Sequence, residues 1–249
     1  MKNNSTGEKF TELALTIFST NYSDDSAVVT LSGKQGLFSL IAKGVYKAKS
    51  QLKPLLIPAT LVKVEYSKYP SGTMIASSIE VVEDNSTLLS NYQSSCLILL
   101  LQELSLALYH YGDDYPTADV CYLLKALNGG SDVITIALLL VATFYKNLGI
   151  DIDTTSCVYC LKSDNIVSYS LKDGGFICKD CLSLHPSPVI DKMNLYVLKF
   201  AFMELNEKTV SKIVPRNEGI KTLVDLLENL VSYFDLKELK TLSMFLTSL

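Results

Sequence analysis

From about residue 10 to residue 80, apolar and polar positions alternate in short runs. Ala27, Val29 and Leu31 interleave with Val28 and Thr30, Leu37-Phe38-Ser39-Leu40-Ile41 follows Gly36, and Leu61 to Tyr66 alternates again. Period-two patterning of this kind marks half-buried strands. Gly33, Gly36, Gly44, Pro54, Pro58, Pro70 and Gly72 punctuate the runs. About five short strands without a strong amphipathic helix predict a small β-barrel or sandwich over residues 1–82. Near Glu83 the period changes. Asn85-Ser86 reads as a helix N-cap, and Leu88 to Tyr111 carries apolar residues at helical spacing. Pro116 opens a helix to about Asn128, and Ser131 or Asp132 caps another ending near Gly149. Beyond Pro186-Ser187-Pro188, helices are expected over 191–204, 219–234 and from Leu236 onward. The chain is thus expected to be α+β, with strands over 1–82 and helices over 83–249.

Composition narrows the class. With 249 residues, 48% hydrophobic and 19% charged, the chain has ample core material for a globular protein of two or three domains. The longest apolar run, Val133 to Tyr145, is short of the ~20 residues that a membrane-spanning helix needs. Met1 to Lys9 is polar, so no signal peptide and no membrane association are expected. A cytoplasmic, nucleoid-associated location is the expectation, in a compartment where paired cysteines favour metal over disulfide.

Four of the six cysteines fall in a C-x2-C-x17-C-x2-C array: Cys157, Cys160, Cys178 and Cys181. Two C-x-x-C turns can complete a closed tetrahedral shell of four thiolates, so one structural zinc ion is expected. Between the pairs, Lys162 to Asn165 reads as a turn, Ile166 to Ser170 as a strand and Lys172 to Gly175 as a second turn. This is the outline of a zinc ribbon or knuckle over 154–186, too small to hold together without a staple. A dithiol redox centre is the rival reading, but its usual βαβ setting is not visible. His185 lies four residues beyond Cys181, where the four thiols already fill the shell. Cys96 and Cys121 lie in helical patterns and read as core.

The net charge of −4 hides an asymmetry. Residues 1–79 hold nine Lys and five acids, a net of +4, which leaves −8 for the remainder. Ser26 to Val64 contains Lys34, Lys43, Lys47, Lys49, Lys53 and Lys63 and no acid. In the segment Ala42 to Ser50, lysines are interleaved with Tyr46, and Phe38 lies just before. Ammonium groups neutralise phosphates while rings offer faces to unstacked bases, a pairing that suits single-stranded nucleic acid. A solvated face without acids is the plain alternative. Enzyme chemistry finds little footing, and no catalytic residues are expected. Ser32 to Gly36 lacks the frame of a phosphate-binding loop, only His110 and His185 are available, and Asp24-Asp25 and Asp113-Asp114 read as solvated loop acids.

Taken in order, these pieces resemble the bacterial DNA-repair RecO family. Asn21 to Ser32 resembles the family's first hairpin, Gly36 its strand-opening glycine, and Ala42-Lys43-Gly44 with Lys49-Ser50 and Leu52 its A-K-G…K/R-S-x-L signature. The cysteine pairs resemble its zinc-bearing branch. The resemblance implies an N-terminal five-stranded OB-fold β-barrel, then an α-helical domain with an inserted zinc module held by four cysteines. It also implies binding of single- and double-stranded DNA and annealing of complementary strands. Loading of RecA onto strands coated by single-strand-binding protein, usually with RecR, is implied as well. Lys34, Lys43, Lys47, Lys49 and Lys53 are then the expected DNA contacts, with Tyr46 among them. The basic stretch lacks the family's arginines, and Lys supplies point charges where Arg supplies bidentate forks. A zinc-stapled interaction scaffold, with a groove near Leu195 to Leu205 beside Lys192, Lys199 and Lys208, and an RNA-binding barrel are the alternatives.

Overall fold

A computed structural model describes residues 7–34, 36–111 and 114–249. Gln35, in the Gly-Lys segment, and Asp113, of the second acid pair, lie outside them. Asp114 accepts the Tyr115 amide at 2.9 Å, the role of a turn residue. The chain forms two compact units, Met1–Lys125 and Ala126–Leu249.

The first unit is built on a closed barrel of β1 (Glu8–Ser23), β2 (Ser26–Gly33), β3 (Gly36–Ala42), β4 (Leu61–Lys68) and β5 (Met74–Glu83), in the order β1-β2-β3-β5-β4. Closure depends on β1, which is long enough to serve two neighbours. Its first half pairs with β4, from Glu8 opposite Lys68 to Leu15 opposite Leu61, and its second half pairs with β2. Register shifts between Thr16 and Phe18 bend the strand from one partner to the other. The remaining seam is a parallel contact of Ile41 with Ile75. Inward-facing Ala14, Val29, Leu31, Leu40, Val62 and Val64 are fully or almost fully buried and fill the barrel. Thr16 pins the crossover that follows β3: its hydroxyl accepts the Thr60 amide at 2.9 Å, and its amide donates to the Thr60 carbonyl.

The expected helix over 88–111 is α1 (Tyr92–Leu108), preceded by a 3-10 turn over Ser86–Ser90. Its N-cap is Asn91, whose side chain accepts the Ser94 amide, and not Asn85-Ser86. Asn85 is buried and donates instead to the Ala59 carbonyl at 2.9 Å, so it ties the helix entrance to the barrel. Gln102 donates to the Ile17 carbonyl from the middle of α1. These bonds explain why α1 belongs to the barrel's compact unit although the strand pattern ends near Glu83. α2 (Thr117–Asn128) follows Pro116.

In the second unit, α3 (Val133–Asn147) is capped by Asp132, which accepts the Thr135 amide at 2.8 Å. Ile134 to Tyr145 are buried without interruption. A helix hydrophobic all round belongs at the centre of a core, and among the described residues no helix is long and apolar enough to cross a membrane. β6 (Asp153–Cys157), β7 (Ile166–Ser170) and β8 (Gly175–Cys178) form a small sheet in the order β6-β8-β7. Gly175 sits at φ +149, and a Cβ there would lie 2.2 Å from the Asp153 carbonyl oxygen, so only glycine lets β6 approach. The short α4 (Lys179–Leu182), then α5 (Lys192–Ala201), α6 (Glu207–Val210), α7 (Arg216–Tyr233) and α8 (Lys240–Ser248) complete the unit. α7 packs closely on α3 at Gly219, where a Cβ would meet Ile134 at 2.7 Å. The Tyr145 hydroxyl reaches the Leu226 carbonyl and Asn229 Oδ1, each at 2.8 Å.

Candidate metal centre and nucleic-acid interface

The four cysteines converge. Their sulfur atoms all lie within 4.8 Å of one another, and Cys160 and Cys178 are 3.6 Å apart. A tetrahedral shell with metal–sulfur bonds of ~2.3 Å has sulfur–sulfur edges of roughly 3.8 Å, so the donor set fits a closed four-thiolate site. Two local devices aim the thiols. In the first turn, Leu161 donates to the Cys157 carbonyl and Cys157 to the Lys162 carbonyl, both at 2.8 Å, with Leu161 in the left-handed region at φ 62. In the second, the Cys181 carbonyl accepts the amides of Leu184 and His185 at 3.0 Å. Asn165 joins the turns by accepting the Lys179 amide at 2.9 Å.

Cys157 and Cys178 are buried, Cys181 half-buried and Cys160 exposed. Burial acts to raise the Cys157 thiol, but backbone hydrogen bonds at Cys178, Tyr159 and Cys160 outweigh it and bring it down to about 6. Cys181 is pushed up to about 12 by burial and then by the neighbouring thiols. Four sulfurs this close resist sharing more than one negative charge unless a cation is among them. The arrangement can hold a metal ion and offers no open coordination position. His185 is not in the cluster; its ring stacks on Tyr159 with centroids 3.5 Å apart and planes 9° from parallel.

The basic segment is less unified than its sequence suggests. Lys34, Lys43, Lys47, Lys49 and Lys53 are all exposed, and Tyr46 is 43% exposed. Lys43 to Lys53 occupy the turns after β3. There the Tyr46 amide donates to the Asp25 carbonyl and Lys53 Nζ to the Ala48 carbonyl at 2.9 Å. Lys34 lies in the β2–β3 turn, at the other end of a seven-residue strand that spans about 20 Å. The absence of acids between Ser26 and Val64 does not leave every lysine free. Asp25, one residue before that stretch, pairs with Lys47 at 3.0 Å, and Ser26 and then Lys47 hold its carboxyl below the usual range.

The structure brings Lys34 and Phe38, already marked in the sequence, together with Phe10, Glu12, Tyr66, Lys68 and Met74, which the linear sequence did not single out. These residues line a groove of about 400 Å³ at one mouth of the barrel. Tyr66 stacks on Phe10 at 5.5 Å and lies 5.7 Å from Phe38. Phe10 and Tyr66 are direct cross-strand partners, which becomes visible only once the β1–β4 register is known. Lys43 lines a second groove with Tyr69, Ser71 and Thr73 of the β4–β5 turn. In the second unit, Leu195, Leu198 and Phe200 of α5 are buried, while Tyr196 and Lys199 on its other face, and Met203 just beyond its end, are exposed. An open apolar groove of about 410 Å³ lies between α7 and α8, lined by Val224, Leu227, Val231 and Leu242, with Glu228 and Glu238 on its rim.

Comparisons with known proteins point the same way as this architecture. Residues 118–242, half of the chain, match the family model described as recombination protein O C terminal. Three relatives are each named DNA repair protein RecO. The protein from Oceanobacillus iheyensis is 22% identical over 219 residues, covering 86% of this chain and 83% of its own length. That from Bacillus pumilus is 25% identical over 175 residues, 67% of this chain and 66% of its own. That from Lactobacillus helveticus is 25% identical over 166 residues, 64% and 65%. With its C-terminal half matched by that model, this chain belongs to the RecO family.

Proposed function

We propose that the chain is a DNA-repair and recombination mediator. In this reading it binds single- and double-stranded DNA through its barrel, anneals complementary strands, and helps load RecA onto strands coated by single-strand-binding protein, in concert with RecR. The barrel is read as an OB-fold, supported by five strands closed in the order β1-β2-β3-β5-β4. The observation that carries the reading is the exposure of Lys43, Lys47, Lys49 and Lys53 in the segment that follows β3, in a chain of this family. These ammonium groups neutralise phosphates and release counterions, so that two like-charged strands can approach one another. No covalent step is involved, and no residue acts as a catalyst. Zinc is the proposed occupant of the cysteine cluster, because a closed four-thiolate shell suits a structural ion that joins β6, β8 and α4.

The test is fluorescence anisotropy of a labelled single-stranded oligonucleotide, comparing the wild type with a variant carrying Glu at Lys43, Lys47, Lys49 and Lys53. Salt-sensitive binding by the wild type and its loss in a folded variant are expected. Equal binding by both would put the site elsewhere, and no binding by either would favour an interaction scaffold.

A further inference from the structure

We infer that the groove at the barrel mouth is a base-reading pocket, in which Glu12 selects nucleobases that present an exocyclic amine, guanine foremost because its N1–H lies beside that amine. The inference rests on the single-strand reading and gives it a specificity that lysine contacts alone cannot supply, because phosphate contacts carry no sequence information.

The groove has the parts such a pocket requires. Its volume of about 400 Å³ falls within the range of small-molecule sites. Partly exposed Phe10 and Phe38, backed by the buried ring of Tyr66, make its apolar side, and aromatic faces stack with any base. Lys34 and Lys68 stand on its rim, placed to meet the phosphates that flank an inserted base. The unexpected member is Glu12, a carboxylate in a groove otherwise suited to a polyanion.

Glu12 is held there by the surrounding backbone and one phenol. Its Oε1 accepts the Lys34 amide at 2.7 Å, and its Oε2 accepts the Tyr66 hydroxyl at 3.3 Å. Burial first, and then Glu12 itself, raise the Tyr66 phenol above its usual value, so it stays protonated and donates. Space for the carboxylate comes from Gly33, where a Cβ would lie 2.1 Å from Oε1 and 2.9 Å from the Phe38 ring. Each carboxylate oxygen has a second acceptor position, so both remain able to receive a ligand's hydrogens. A carboxylate repels a phosphate but accepts from the edge of a base. Guanine offers two adjacent donors, N1–H and the N2 amine, which match the two oxygens. Cytosine and adenine offer one amine beside a ring-nitrogen acceptor. Thymine offers one imino hydrogen between two carbonyl oxygens that repel the carboxylate.

The experiment uses the full chain and short oligo-dT strands carrying one central dG, dC or dA, with all-dT as reference. Anisotropy is read at constant salt. The wild type is expected to bind the dG strand about tenfold more tightly than all-dT, the lower range for a bidentate base contact, with dC and dA between. Glu12→Gln, whose amide donates as well as accepts, should flatten the ranking. Gly33→Ala keeps the carboxylate but displaces it, and should flatten the ranking too. Lys68→Ala should weaken all four strands alike and leave the order intact. Circular dichroism and melting temperature establish that each variant is folded. A flat ranking in a wild type that binds DNA, or a ranking that survives in folded Glu12→Gln and Gly33→Ala, overturns the pocket and leaves strand binding standing. No binding of any strand by the wild type overturns the single-strand reading and the pocket with it.

Discussion

The pair of Asp25 with Lys47 makes the salt dependence of DNA binding a quantitative test. Lys47 Nζ lies 3.0 Å from Asp25 Oδ2, and Ser26 donates to Oδ1 of the same carboxylate at 2.7 Å. Both side chains are largely in water, so the pair is weak and screened, yet it keeps an anion beside one of the five lysines in question. Single-stranded DNA loses binding with a log–log slope of about −0.7 per phosphate neutralised. If Lys34, Lys43, Lys49 and Lys53 engage while Asp25 retains Lys47, the slope is about −2.8, and affinity falls roughly 50-fold between about 50 and 200 mM salt. Asp25→Asn frees Lys47. The slope should steepen to about −3.5, the loss over that range should grow to roughly 130-fold, and affinity at about 0.1 M salt should rise about fivefold. Anisotropy titrations across a series of salt concentrations give both slopes. A slope near zero in the wild type would remove the lysines from strand binding. An Asp25→Asn slope equal to that of the wild type would refute the idea that Asp25 withholds Lys47 from the strand.

Other consequences follow from the second unit. Cys157→Ser should abolish metal binding, measured by elemental analysis, and lower the melting temperature, because structural metal sites contribute folding energy directly; retention of metal and unchanged melting would contradict the closed site. Tyr145→Phe removes the hydroxyl that reaches Leu226 and Asn229 and should cost about 1–2 kcal/mol in denaturant unfolding. Asp153 has its carboxyl lowered to about 2, where burial is outweighed by the hydroxyls and amides of Ser156 and Thr155. A folded value below the unfolded one contributes stability that is present above about pH 4 and is lost as pH falls towards about 2, so Asp153→Asn should flatten acid unfolding in that window.

Much of this architecture was legible because local pattern and local structure agree. Ile166 to Ser170 forms the strand its sequence predicts, Asp132 caps the helix it precedes, and the cysteine spacing brings four thiols together. Local pattern and structure part where one residue serves a distant partner. Asn85 has the chemistry of a cap, but its amide is used on Ala59, so α1 begins only after Asn91. β1 obscured its own length because its bulges shift the alternation where it passes from β4 to β2. The mouth groove was hidden for the same reason: Phe10, Phe38 and Tyr66 come from three strands and meet only through register. Similarly, the acid-free stretch concealed Asp25, which lies one residue outside it and neutralises a lysine within it.

Whether this chain brings nucleic-acid strands together is decided by an annealing assay. Two complementary labelled strands, each coated with single-strand-binding protein, are mixed with and without the chain, and duplex formation is followed by energy transfer. Faster annealing is expected at low salt, slowing as salt rises, with no acceleration by the folded variant with Glu at Lys43, Lys47, Lys49 and Lys53. An unchanged rate in the presence of stoichiometric wild-type chain would contradict annealing by this chain.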